Sequence, residues 1–63
     1  MLKIGKEYGV IGITLTIGDV VLQQGEVLTV VDFKGHEAVV LRQSTGGTLV
    51  LSKMALEFAL EPL

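Results

Sequence analysis

The sequence has no cysteine and no tryptophan, one histidine (His36), one proline (Pro62) and only three other aromatic residues, Tyr8, Phe33 and Phe58. Without cysteine there is no disulfide framework, no thiolate zinc site and no sulfur nucleophile. A single histidine excludes a metal site built mainly from imidazole, so no cofactor or metal is expected and folding should not depend on zinc. Positive charge is also scarce, with five basic residues against seven acidic ones for a net charge of −2. No two basic residues are closer than Lys3 and Lys6. The clustered Lys/Arg excess that releases counterions from phosphates is therefore missing, and so is a polybasic membrane signal. Long apolar runs are absent too. The best early run, Val10 to Ile17, is broken by Gly12, Thr14 and Thr16, which does not make a secretory signal, and nothing approaches the roughly 20 apolar residues of a membrane span. A cytoplasmic protein is expected. At 63 residues it forms one domain, with no cleft between lobes.

Glycine and β-branched residues are plentiful. Eight glycines punctuate runs rich in Val, Ile, Leu and Thr, the pattern of short strands joined by turns. Ile11, Ile13, Leu15 and Ile17 alternate with Gly12, Thr14, Thr16 and Gly18, a period of two that predicts a strand. Gly18-Asp19 reads as a turn before a short strand at Val20 to Leu22. Further strands are predicted at Glu26 to Phe33, Ala38 to Arg42 and Thr48 to Leu51. A tight hairpin is expected across Lys34-Gly35-His36-Glu37, and a second loop at Gln43 to Gly47. These connections are too short for crossover helices, so the sheet is antiparallel. Residues 1–10 read as an N-terminal arm, with Tyr8 either docking on the domain or contacting a partner. The stretch from Ser52 to Glu61 has two readings. One is a single helical turn at Ser52 to Ala55 followed by a closing strand at Glu57 to Leu60; the other is a full C-terminal helix capped by Ser52.

The order of Ile17-Gly18-Asp19-Val20-Val21-Leu22, Glu26 to Val31, a tight hairpin, a third strand, Thr48 to Leu51, a one-turn helix and a last strand resembles the SH3-like small barrels. That resemblance covers roughly residues 16–60. It implies an all-β, five-stranded antiparallel barrel with a one-turn helix before the last strand, and it specifies no function, because the fold hosts many.

Candidate chemistry is thin. His36 reads as a solvated turn residue, since its sequence neighbour Glu37 points to the opposite face and cannot orient it as a base. The carboxylates are scattered singly along the chain. Gly46-Gly47 lacks the lysine that a phosphate-binding loop requires. The aliphatic excess is more informative. With strict alternation, Leu28 and Val30 share a face with Glu26 and Asp32, which places that face outside the core. One hairpin register would set Asp32 against Glu37; another pairs Val30 with Val40 and Leu28 with Arg42. The expected interface is therefore Leu28, Val30 and Val40, with Tyr8 as a further aromatic contact. This leads to a non-enzymatic protein–protein interaction module, an adaptor or small inhibitor, acting as a homo-oligomer. One alternative is a nucleic-acid-associated regulator with a local basic face of Lys34, Arg42 and Lys53. Another is an oligomeric enzyme with a pore site between subunits, which a stabilising ligand would reveal in a thermal-shift screen.

Overall fold

Short β-branched segments separated by glycine turns satisfy their backbone by pairing with one another, and they do so here. The computed structural model describes residues 2–11 and 15–63. Its elements are β1 (Glu7–Val10), β2 (Leu15–Ile17), β3 (Val20–Leu22), β4 (Val27–Lys34), β5 (Glu37–Arg42), β6 (Thr48–Ser52), α1 (Lys53–Ala59) and β7 (Leu60–Pro62). Five strands form one antiparallel sheet in the order β6-β5-β4-β1-β7, and β2 and β3 pair separately. The fold is thus all-β, with one short helix before the last strand. The alternating stretch expected from Ile11 to Ile17 falls partly on residues 12–14, outside the described residues; its far end is β2.

Both tight hairpins use the same device. Gly18 and Gly35 each take the first of two loop positions with φ of +59° and +58°, while no other residue type has a positive φ among the described residues. A positive φ at the first position only is the signature of a type II′ turn, whose twist suits right-handed strands and whose first position is open to glycine without strain. Ile17 therefore faces Val20, and Lys34 faces Glu37.

The N-terminal segment is no arm. Residues Glu7–Val10 form β1, which lies between β4 and β7, with Tyr8 opposite Leu28 on one side and Pro62 on the other. Gly5 donates to the Val30 carbonyl at 2.7 Å and Val10 to the Glu26 carbonyl at 2.9 Å, lengthening the ladder beyond the strand itself. Tyr8 is 2% exposed, and its hydroxyl accepts the Lys3 N–H at 2.8 Å. Of its two readings, docking on the domain is the one the burial supports, and the ring is not offered on the surface as an interface contact.

The expected interface is likewise turned inside out. Leu28, Val30 and Val40 are all fully buried and form the core with Leu22, Leu51 and Leu56. The reason lies in one residue. The β4–β5 register shifts between Val30 and Asp32, so Val31 is an extra residue on β4. Such a bulge breaks the two-residue period. Asp32 consequently leaves the face of Leu28 and Val30, and Phe33 packs against the core instead. Both parts of the hairpin register follow: Val30 pairs with Val40 and Leu28 with Arg42 below the bulge, while Lys34 pairs with Glu37 above it. Asp32 faces Val39, which avoids the like-charge pair with Glu37.

The C-terminal stretch combines the two readings made of it. Helix α1 runs for two turns to Ala59, and only Leu60–Pro62 return as a strand beside β1. Phe58, expected in a closing strand, is consequently on the outside of the helix and 84% exposed, whereas Leu60 is buried.

Candidate functional site

Helix α1 starts where it does because Ser52 caps it, its hydroxyl accepting the Ala55 N–H at 3.4 Å. The Lys53 N–H donates to the His36 carbonyl at 2.9 Å, which ties the helix to the tip of the β4–β5 hairpin. Leu56 and Ala59 face the core. Met54 and Phe58, four residues apart, stand together on the opposite side. They are 73% and 84% exposed, the two most exposed large apolar side chains among the described residues. With His36, Ser52, Lys53 and Glu57 they line an open groove of about 650 Å³. A smaller recess of about 290 Å³, between Leu2 and Phe33, shares Lys53 and Glu57 with it. The Lys53 ammonium lies 4.9 Å from the centre of the Phe33 ring, a cation–π distance that fixes one wall of this surface. His36 is exposed at the turn, as its sequence position suggests.

The strongest electrostatic contact lies at the other end of the sheet and ties elements together. Arg42 grips Glu26 through two bonds, Nε to Oε1 at 2.6 Å and Nη2 to Oε2 at 2.8 Å, and also donates to the Val21 carbonyl at 2.8 Å. Ser44 Oγ and the Gln23 N–H add donors at 2.9 and 2.7 Å. The bidentate arginine holds the Glu26 carboxyl well below its ordinary 4.5, at about 2, against an opposing effect of desolvation. A carboxyl whose folded-state pKa is depressed adds stability above its unfolded value, and that contribution disappears as the pH falls toward the folded value. Stability should therefore decline from about pH 5 to about pH 2. With solvent screening at this partly open site the loss is roughly 1–2 kcal/mol. Urea melts of the parent and Glu26→Gln test this. The variant starts lower at pH 7 and shows a flatter decline across that window; parallel curves would contradict the assignment.

This pair also dissolves the expected basic face. Arg42 is committed to Glu26 and sits five residues along β5 from Glu37, the partner of Lys34, a separation of about 17 Å at the antiparallel rise of about 3.4 Å per residue. Lys34 and Lys53 do lie at one end of the sheet, but Lys34 faces Glu37 and Lys53 covers Phe33. The structure does not bring the three cations together. Among the described residues, no three His, Asp or Glu side chains gather in a group able to hold a metal ion, and no helix is long and apolar enough to cross a membrane.

Comparison with protein-family models, curated proteins and solved structures finds no match. The site is accordingly read from its own geometry. Met54 and Phe58 were not singled out from the sequence as surface residues. The signal was there in the spacing: in a helix of two turns, Leu56 and Ala59 take one side and Met54 and Phe58 the other.

Proposed function

We propose that this chain is a non-enzymatic protein–protein interaction module on an SH3-like frame, acting as a homo-oligomer and receiving its partner at the α1 groove. The observation that carries the reading is the exposure of Met54 and Phe58 side by side on a helix whose other side is anchored in the core. Large apolar side chains held rigidly in water at a groove are characteristic of binding surfaces, where aromatic residues and methionine are enriched. The frame is supported by the order of elements, three strands in a meander followed by a short helix and a last strand beside the first. The separation of Arg42 from Lys34 and Lys53 weighs against the nucleic-acid reading. Cytoplasmic residence belongs to the same proposal.

The test is Phe58→Ala. A residue this exposed contributes little to folding, so the melting temperature should stay within a few degrees of the parent. A photo-crosslinking group placed at Met54 should trap one discrete protein from the native host. Phe58→Ala in the same chain should reduce that yield at least tenfold, as expected for an aromatic anchor. Undiminished trapping would refute the groove as the contact surface. A large fall in melting temperature would show that Phe58 serves the fold.

A further inference from the structure

The two ends of the five-stranded sheet are built differently. At one end, β7 carries Glu61 and Pro62, a charge and a residue without an N–H, both of which discourage the addition of another strand. At the other end, β6 has no charge, no proline and no register shift against β5. Its outer backbone groups are directed by the ladder. Arg42 N–H donates to the Gly47 carbonyl at 2.8 Å and Lys53 N–H to the His36 carbonyl at 2.9 Å. These two bonds sit at opposite ends of the same β5–β6 register, so by the antiparallel alternation Leu49 and Leu51 bond to β5. Thr48, Val50 and Ser52 then turn their N–H groups away from it, and no backbone partner for them occurs among the described residues.

The sequence of this strand, Thr48-Leu49-Val50-Leu51-Ser52, reads nearly the same in both directions: hydroxyl, leucine, valine, leucine, hydroxyl. An antiparallel pair of such strands related by a two-fold axis through Val50 matches like with like at every position. We infer that β6 is the self-association edge of this protein, joining two copies into one continuous sheet about Val50. The assignment deepens the proposed homo-oligomer and uses a different surface from the α1 groove. Around the axis Val50 exchanges two backbone bonds with its counterpart, and each Ser52 N–H reaches a Thr48 carbonyl, four bonds in all; the Ser52 carbonyl is left to open α1. Opposed Thr and Ser hydroxyls form a favourable cross-strand pair. On the outer face Val50 is 46% exposed and stands opposite half-buried Val39. Pairing therefore runs the apolar strip Val39–Val50 directly into its copy. No charged side chain lies on either copy of β6 to oppose the contact. A second copy is the occupant that this symmetry selects, since the strand is complementary to itself (an isologous contact).

The experiment uses three chains. Val50→Lys places two ammonium groups against each other at the axis and should weaken the dimer at least tenfold, with the circular-dichroism spectrum unchanged because the side chain points outward. Val50→Glu should behave alike. An equimolar mixture of V50K and V50E should restore the dimer, because only opposed residues exchange repulsion for attraction. A dimer unaffected by V50K, or a mixture of the two folded variants that stays monomeric, would overturn the assignment. If V50K loses its spectrum, V50C provides the second measurement in a chain with no other thiol. Directly opposed residues lie about 5.5 Å apart at Cα, inside the disulfide window. Mild oxidation should then give a covalent dimer, and a V50C chain that stays monomeric would contradict the pairing. Phe58→Ala should leave the dimer intact, so loss of partner trapping with the mass unchanged bears on the α1 reading alone.

Discussion

A Val30→Lys chain should fail to fold. Val30 is fully buried opposite Val40, in the same cluster as Leu22, Leu28 and Leu56. No polar or charged residue is buried among the described residues, so no counter-ion waits for an ammonium group there. Leaving a charge unpaired in such surroundings costs several kcal/mol. A chain of this length has roughly 3–9 kcal/mol of stability to lose, at about 0.05–0.15 kcal/mol per residue. The circular-dichroism spectrum of V30K should be that of an unfolded chain at 25 °C. The neighbouring substitution Val31→Lys sharpens the test. Val31 is the bulged residue and 42% exposed, so V31K should melt within a few degrees of the parent. A folded V30K beside a disrupted V31K would reverse the two faces of β4 and return Leu28, Val30 and Val40 to the surface.

Removing residues 56–63 should be as severe. The truncation takes away Leu56, which is fully buried, along with Ala59, Leu60 and the whole of β7. Each leucine is worth roughly 1.5–3 kcal/mol of burial, and together they consume most of the stability of so small a domain. Backbone pairing is lost as well. Ile11 N–H forfeits the Ala59 carbonyl at 2.9 Å, and β1 is left with a bare edge. The product should be unfolded or insoluble in expression trials, with an exposed strand ready to aggregate. A soluble truncated chain with a native spectrum would make α1 and β7 dispensable. Phe58 takes no part in this loss, because it lies on the solvent side of α1.

What could be read from the sequence depended on how strongly each segment repeats its own period. In β5 and β6 every second residue faces the core without interruption, so Ala38, Val40 and Leu51 are buried as alternation requires. In β4 the same reasoning fails at Val30-Val31. Two adjacent valines give no sign of which one is extra, and a single bulge exchanges the faces beyond it. Placing Leu28, Val30 and Val40 at an interface rests on reading Glu26 and Asp32 as markers of a solvent face: the bulge moves Asp32 off that face, and Glu26 lies before β4 with its carboxylate held by Arg42. Strand β1 was hidden for a different reason. Glu7 and Gly9 are poor strand formers, and β1 is held by neighbours on both sides rather than by its own propensity. Gly9 also meets a requirement no single sequence displays, since a Cβ there would lie 3.1 Å from the Leu63 side chain. At the candidate site the helical spacing of Met54 and Phe58 was visible, but only the buried positions of Leu56 and Ala59 decide which side of α1 faces water. The Glu26–Arg42 pair, sixteen residues apart, depends on the β4–β5 register and is invisible to local pattern.

Val30 and Val40 are buried in the core, which leaves the β6 edge and the α1 groove as the surfaces proposed for self-association and partner contact. Sedimentation equilibrium of the intact chain over a wide concentration range tests this most directly. The mass should rise from 6.7 kDa toward twice that value and level off there, as a closed two-fold pair requires. A single species of 6.7 kDa at every concentration would contradict it.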